Sequence, residues 1–170
     1  RTHINNSDIS KDRYILDNIE DLKKEIELHN ERYVRHYLSV KKNINFYMTN
    51  SWSNIHGHKE HSQVHYHGNS LISGVYYPIL PKDSGDIMFH KTDIYTNLFH
   101  HTIRFEFNEP NNVNSENYIV NLKEGSIVLF PSHLNHSVLE NKTNEDRYSI
   151  AFNFFVKGKI GKEEYQLELK

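Results

Sequence analysis

Three histidines in this 170-residue chain have the spacing of metal ligands. His65 and His67 are two positions apart, so on a β-strand both imidazoles project to the same face. His136 follows a short apolar stretch and a turn at Pro131. An H-x-H pair and a third imidazole from a distant strand occupy one face of an octahedron and leave three positions open, as an oxygen-activating iron site requires. The three residues therefore predict a metal centre.

Arg147 and Ser149 indicate an anion-binding site next to that centre. They share one face of a predicted strand, and Arg147 lies eleven positions after His136. A buried guanidinium is costly unless it meets an anion. That anion could belong to a nearby acidic residue of the chain: Glu145, Asp146 or Glu106. It could equally be the carboxylate of a small molecule, which Arg147 would clamp with the Ser149 hydroxyl as second donor.

The composition narrows the function classes. The chain has no cysteine, which excludes disulfides, thiolate metal sites and a cysteine nucleophile. The formal net charge of -2 gives no nucleic-acid signal, and no apolar run is long enough for a membrane span. No export leader is visible, so we expect a cytoplasmic protein. The length predicts a single domain over residues 1–170.

The elements that must position these residues begin with a helix. From about residue 12 to residue 40, apolar residues recur at three- and four-residue steps, which predicts an amphipathic helix with Ser10 as its N-cap. From about residue 44 to residue 156 the period changes to two, which predicts a β core. The expected strands are 44–52, 63–67, 71–78, 86–90, 102–107, 118–122, 126–130, 136–139 and 147–156. Residues 53–62 form a predicted loop, and residues 157–170 either add an edge strand or fray.

One helix followed by eight or nine short strands is typical of a mainly β sandwich or a rolled-up antiparallel barrel. The last long strand has two distinct faces. Its aromatic face is expected to pack under the helix and consists of Tyr148, Ile150, Phe152 and Phe154. Its more polar face is expected to line the barrel interior and consists of Arg147, Ser149, Ala151 and Asn153.

The spacing H-x-H … H-x10-R-x-S resembles that of the iron(II)- and 2-oxoglutarate-dependent oxygenases. The segments SWSN, HYHGNS, LISGVYY, GDIMF, EGSIVLFPSHLNHSV and RYSIAFNFF also resemble one subgroup of these enzymes, found among marine bacteria and their phages. The likeness extends from about Trp52 to Phe155. It implies a double-stranded β-helix, the jelly-roll or cupin-like fold, with iron at the barrel mouth.

The resemblance also implies roles for individual residues. His65 and His136 resemble the two histidines of the iron triad, Arg147 resembles the clamp on the far carboxylate of 2-oxoglutarate, and Ser149 its hydrogen-bonding companion. The implied reaction uses Fe(2+), 2-oxoglutarate and O2, releases succinate and CO2, and hydroxylates a substrate. Further candidates for the cosubstrate pocket or the surroundings of the metal are Tyr77, Asn153, Trp52, Tyr76 and Asn135.

One position departs from the family pattern. His67 stands where the wider superfamily usually has Asp or Glu, and a neutral ligand there leaves one more unit of positive charge on the iron and its ligands. We take His67 as the third metal ligand. The alternatives are that another side chain approaches the metal instead (Asn69, Glu60 or Asp86), or that the activity is atypical.

Two other functions remain open at this stage. A cupin-type or three-histidine metalloenzyme would keep the metal but would not use 2-oxoglutarate. A non-catalytic jelly-roll binding module would leave the histidines as surface residues and Arg147 as a salt-bridge partner. The histidines of the predicted 53–62 loop could bind substrate, deliver metal or simply be solvated: His56, His58 and His61.

Overall fold

Two antiparallel β-sheets and an N-terminal helix form the computed structural model, which describes residues 7–91, 106–109, 111 and 114–169. The strands are β1 (Asp8–Ile9), β2 (Asn45–His56), β3 (Ser62–His65), β4 (Ile72–Ile79), β5 (Ile87–His90), β6 (Asn117–Ile119), β7 (Ile127–Pro131), β8 (His136–Val138), β9 (Arg147–Ile160) and β10 (Leu167–Leu169). The larger sheet has the order β1-β2-β9-β4-β7, with β10 paired to β9. The smaller sheet has the order β3-β8-β5-β6. The predicted mainly β, jelly-roll class is confirmed.

The N-terminal helical region is broken, where the sequence predicts one continuous helix. A 3-10 helix (Ile15–Asn18) precedes α1 (Glu20–Arg32), and a π-helix (Tyr33–Tyr37) follows it. The break has a physical cause, because this segment is tied to β2 before α1 begins. The Leu16 amide donates to Ser51 Oγ at 3.0 Å, and the Ser51 amide donates to the Arg13 carbonyl at 2.8 Å. The expected Ser10 cap is therefore wrong.

β9 runs through the centre of the larger sheet, and its two faces separate two hydrophobic clusters. The cluster on the helix side consists of Leu16, Ile26, Val34, Ile72, Ile150, Phe152 and Phe154. The cluster on the opposite side of the sheet consists of Val75, Tyr77, Ile87, Phe130 and Ala151. The predicted division of this strand into a helix-facing aromatic side and an inward side is confirmed.

No helix of the described residues is long and apolar enough to cross a bilayer.

Long-range pairing sets several strand ends that local patterns do not. β2 continues to His56 because it pairs with β9 along its whole length, from Asn45↔Lys157 to His56↔Arg147. The predicted loop at 53–62 therefore begins four residues too early. β9 extends to Ile160, and β10 pairs with that extension as the expected edge strand. Most of the predicted strand 102–107 lies outside the described residues.

Candidate metal centre

The pairing of β3 with β8 brings the three histidines together. His65 ends β3 and is the register partner of His136, the first residue of β8. His67 follows β3, and its amide donates to the Ser132 carbonyl at 2.9 Å. One ring nitrogen from each imidazole lies within 4.8 Å of one from each of the others. Within the described ranges, this is the one cluster of at least three His, Asp or Glu side chains with ligand atoms so placed.

The second ring nitrogen of each histidine is already engaged. Each Nδ1 has an oxygen partner, namely the Gln63 carbonyl for His65 at 2.8 Å, the Leu134 carbonyl for His136 at 2.9 Å, and Asn153 Oδ1 for His67 at 2.8 Å. These oxygens only accept, so each Nδ1 carries the proton and each Nε2 keeps a free lone pair. Hydrogen bonds of this kind orient metal-binding imidazoles in proteins. The donor set therefore fits a divalent metal.

The surroundings keep two of the imidazoles in the neutral form that a metal needs. Burial, together with the smaller effects of the neighbouring His65, His67 and His90, lowers the pKa of His136 to about 3, although the hydrogen bond to the Leu134 carbonyl raises it. Burial also lowers the pKa of His67. Aromatic rings close the site from the protein side: the Phe130 ring centroid lies 4.8 Å from that of His136, and the Trp52 ring lies 5.7 Å from that of His67.

A cavity of about 930 Å³ extends from these histidines along the inner face of the larger sheet. Its wall includes the three candidate ligands and four other residues that the sequence indicates for this pocket: Trp52, Tyr77, Arg147 and Ser149. The lining also includes four charged residues, Asp8, Arg13, Lys59 and Glu60. The cavity is large enough for a small cosubstrate together with part of a second molecule.

Arg147 is 1% exposed, and none of the salt bridges among the described residues includes it. Its Nη1 donates to the Gly85 carbonyl at 3.2 Å, and its Nε has no hydrogen-bond partner. The alternative that this side chain forms a salt bridge with Glu145, Asp146 or Glu106 is therefore wrong. Burial lowers the pKa of Arg147, whereas Tyr77 and Asp86 raise it. A guanidinium stays charged in proteins, so this cavity wall calls for an anion.

Tyr77 and Ser149 lie with Arg147 in the wall of this anion pocket. The guanidinium carbon of Arg147 is 5.3 Å from the centroid of the Tyr77 ring. Tyr77 is fully buried, and its hydroxyl has no partner. Burial raises the pKa of Tyr77 to about 12, so the hydroxyl keeps its proton and can donate it. Ser149 is 2% exposed and adds a second hydroxyl to the cavity wall.

His56 is a residue of this pocket that the sequence analysis assigned to a loop. It ends β2 opposite Arg147, and its ring nitrogen Nε2 lies 3.0 Å from Ser62 Oγ. Its Nδ1 is buried without a partner. Burial, followed by the charges of Arg147 and His61, lowers the pKa of His56 to about 3. Trp52, Asn54 and His56 all line the cavity, so extending the period of two beyond Trp52 would have indicated it.

Other predicted residues lie elsewhere. Asn153 contacts His67 rather than the cavity wall around Arg147, and Tyr76 packs in the cluster under the helix. Of the alternative third ligands, Glu60 accepts a hydrogen bond from the Gly57 amide at 2.7 Å. Asn69 occupies a left-handed backbone position with φ of 53°. Neither these two residues nor Asp86 belongs to the cluster of candidate ligands.

Comparisons with known proteins bear on the family and the fold of this chain. A family model described as "Putative 2OG-Fe(II) oxygenase" matches residues 50–153. No curated protein matches the chain. Among solved structures, a prolyl-4-hydroxylase from Pseudomonas putida is 16% identical with a TM-score of 0.52, and the match covers 90% of this chain and 73% of that one. An oxidoreductase of the 2OG-Fe(II) oxygenase family from Burkholderia pseudomallei is 12% identical with a TM-score of 0.49, covering 66% and 46%. This chain thus spans less than half of the Burkholderia protein, and the likeness to the Pseudomonas structure concerns the fold.

Proposed function

Because this chain belongs to the 2OG-Fe(II) oxygenase family, we propose that it catalyses the iron(II)- and 2-oxoglutarate-dependent hydroxylation of a substrate C–H bond. The family consists of oxidoreductases that use iron(II), 2-oxoglutarate and O2. When bound, iron(II) supplies the position at which 2-oxoglutarate and O2 react to give succinate, CO2 and one oxygen atom for the substrate. The protein's share is to hold the metal, orient the cosubstrate and limit the access of water.

The metal ligands in this proposal are the Nε2 atoms of His65, His67 and His136. Two features of the chain support the assignment. One ring nitrogen of each histidine lies within 4.8 Å of the others, and each Nδ1 is held by an oxygen acceptor. The three imidazoles then form a neutral ligand set. Compared with a set containing a carboxylate, it leaves one more unit of positive charge for the anionic cosubstrate to neutralise.

The observation that carries the cosubstrate assignment is that Arg147 is buried and forms no salt bridge within the described part of the chain. A buried charge without a counter-ion costs several kcal/mol, whereas a guanidinium binds a carboxylate through two parallel hydrogen bonds. We assign the far carboxylate of 2-oxoglutarate to Arg147, with the hydroxyls of Tyr77 and Ser149 as further donors. The neutral His56 forms the adjacent part of the wall. A clamp of this kind fixes the direction in which the other end of the cosubstrate reaches the metal.

The same observation weighs against the two competing functions. A cupin-type or three-histidine enzyme without 2-oxoglutarate would use the histidines but would leave the buried guanidinium without an anion. A non-catalytic module would need neither the histidine cluster nor the buried guanidinium. We therefore rank the 2-oxoglutarate-dependent reaction first.

An anaerobic titration tests the proposal. The metal-free protein receives iron(II) and then 2-oxoglutarate, while the visible charge-transfer band of the chelate is recorded. We expect the band in the wild type, and a large loss of 2-oxoglutarate affinity in Arg147→Ala. Arg13→Ala is a matched control, because Arg13 lines the same cavity but is exposed and lies over the Trp52 ring. Iron binding without a band would favour a metalloenzyme that does not use 2-oxoglutarate, and failure to bind iron would leave the binding module.

A further inference from the structure

His67 differs from the other two histidines in the partner of its Nδ1. The partners of His65 and His136 are backbone carbonyls, which only accept hydrogen bonds. These two rings therefore have a single possible neutral tautomer. His67 instead faces the side-chain amide of Asn153, at 2.8 Å. An amide offers an acceptor on one side and donors on the other, so its orientation decides which nitrogen of His67 carries the proton.

A chain of serine hydroxyls leads away from the Asn153 amide, in which Ser73 and Ser132 are buried and Ser70 is half-buried. Ser73 Oγ donates to Asn153 Oδ1 at 2.7 Å and lies 2.8 Å from Ser132 Oγ. Ser132 Oγ is in turn 2.8 Å from Ser70 Oγ, which bonds the carbonyls of Ile72 and Phe154. These residues come from the start of β4, the end of β7 and the middle of β9. The chain of hydroxyls thus ties the third histidine to the larger sheet.

We propose that Asn153 is a positioning residue that selects the Nδ1-protonated tautomer of His67 and so makes its Nε2 available to the metal. The inference rests on the proposed role of His67 as a metal ligand. With Oδ1 directed at His67, the amide accepts the Nδ1 proton. If the amide turned over, Nδ2 would donate to Nδ1, and the proton would move to Nε2, which could then not bind a metal. In the structure Ser73 Oγ donates to Oδ1, which corresponds to the orientation that the proposal requires.

A histidine at this position creates a need that a carboxylate would not. An ionised Asp or Glu presents lone pairs whichever way it rotates, whereas a neutral imidazole binds metal through only one nitrogen in each tautomer. A histidine ligand at this position therefore requires a neighbouring side chain that selects its tautomer. This chain meets that need with Asn153, which lies 86 residues away in the sequence.

The single tryptophan of the chain makes the inference measurable without turnover. The Trp52 ring lies 5.7 Å from the His67 ring, so a paramagnetic ion such as Co(II) bound there should quench its fluorescence. Co(II) is titrated into the metal-free wild type and three variants. We expect Asn153→Leu to weaken binding by about 10–100-fold, as loss of a partner to a metal-bound histidine does. Ser73→Ala should weaken it less, and Asn153→Asp, which keeps the acceptor, should restore binding relative to Asn153→Leu.

The decisive comparison repeats Asn153→Leu in a His67→Ala background. If Asn153 acts through His67, the second substitution has no further effect on Co(II) affinity, and the two changes are not additive. Thermal unfolding of the metal-free variants, measured in parallel, identifies any that fail to fold. Ser73→Ala and Asn153→Asp then carry the test if Asn153→Leu is unfolded.

Each alternative outcome has a separate meaning. If His67→Ala binds Co(II) as well as the wild type does, His67 is not a ligand, and the assignment of the metal site fails first. If His67→Ala weakens binding but a folded Asn153→Leu does not, the positioning role is overturned while the metal site stands. Equal weakening by Asn153→Leu in both backgrounds would show a general structural effect and would also overturn the inference.

Discussion

The two halves of the candidate site are prepared for their ligands in opposite ways. On the metal side, every Nδ1 of the three histidines has an oxygen partner. On the anion side, three buried polar atoms have none: His56 Nδ1, Tyr77 Oη and Arg147 Nε. Buried polar groups in folded proteins are normally satisfied, so a cluster of exceptions calls for an explanation. The metal side is organised by the protein itself, whereas the anion side is left for a ligand to satisfy.

Because of this difference, the metal side stabilises the ligand-free fold, whereas the anion side destabilises it until a ligand binds. The hydrogen bonds around the metal side form with the fold and stabilise it before any metal arrives. The unsatisfied groups of the anion side reduce the stability of the ligand-free protein, and a bound carboxylate would relieve that cost. Substitutions on the anion side should therefore change stability and cosubstrate affinity in opposite directions.

Arg147→Met should give the largest such effect. Methionine fills much of the volume of the arginine without its charge, so we expect the ligand-free protein to be at least as stable as the wild type. The affinity for 2-oxoglutarate should fall by about 2–5 kcal/mol, as it does when one partner of a buried charge pair is removed. Thermal unfolding with and without 2-oxoglutarate measures both quantities. The cosubstrate should raise the melting temperature of the wild type and not that of the variant.

Quenching of Trp52 by Co(II) provides the internal control, because Arg147 is not among the candidate metal ligands. Unchanged Co(II) affinity in Arg147→Met would confirm that the two halves are separable. A parallel loss of Co(II) affinity would instead show that the anion side helps to build the metal side, and the comparison would fail.

The candidate ligand-binding residues of both sides were accessible to sequence reasoning because their signals are local. Two histidines two positions apart on a strand share a face whatever the rest of the fold does. The alternation along β9 likewise placed Arg147 and Ser149 inward. The contact of Asn153 with His67 could not be predicted in this way, because it depends on how β9 lies against the segment after β3. The choice between Tyr76 and Tyr77 as the inward residue was also open, since the turn at 68–70 precedes their strand.

The position of His56 shows a second limit. Its loop assignment relied on the histidines and glycine of residues 53–62, which have turn-like composition. Pairing with β9 overrides that local preference and extends β2 to His56, opposite Arg147. The break in the helix at Ile19 has the same origin, since hydrogen bonds to β2 compete with a regular helix there. Tertiary contacts decide both cases.

The stability of the metal-free protein should depend on pH through His56. Its pKa is about 3 in the folded state, compared with about 6.5 in an unfolded chain. Below pH 6.5 the unfolded state therefore binds a proton that the folded state does not. As the pH is lowered, the free energy of unfolding decreases until the pKa of the folded state is reached. Between pH 7 and pH 5, His56 alone should account for a loss of about 2 kcal/mol in the free energy of unfolding.

His56→Gln tests this contribution, because glutamine can still bond Ser62 but does not titrate. Denaturant unfolding at pH 7 and pH 5, with a chelator present, should show a smaller loss in the variant. Some loss should remain, since burial also lowers the pKa of His136 to about 3. An identical loss in the wild type and His56→Gln would mean that His56 is charged or solvated in the folded protein.

Tyr77→Phe removes a single unpaired atom and should give the smallest effects. Without 2-oxoglutarate the variant loses a buried hydroxyl that has no partner, so we expect a gain of about 1 kcal/mol in the free energy of unfolding. The affinity for 2-oxoglutarate should fall by about 0.5–1.5 kcal/mol, the value of one hydrogen bond. Denaturant unfolding measures the first quantity, and titration of the charge-transfer band measures the second.

Tyr76→Phe is the matched control, because Tyr76 is the adjacent residue on β4 and packs on the helix side of the sheet. It should leave 2-oxoglutarate affinity unchanged. A gain in stability together with a loss of 2-oxoglutarate affinity in Tyr77→Phe would show that the hydroxyl is unsatisfied in the ligand-free protein and contacts the cosubstrate. A tyrosine that only fills space could not produce this combination. If Tyr77→Phe destabilised the ligand-free protein and left the affinity unchanged, the hydroxyl would belong to the folded framework. The anion side would then be confined to Arg147 and its remaining neighbours.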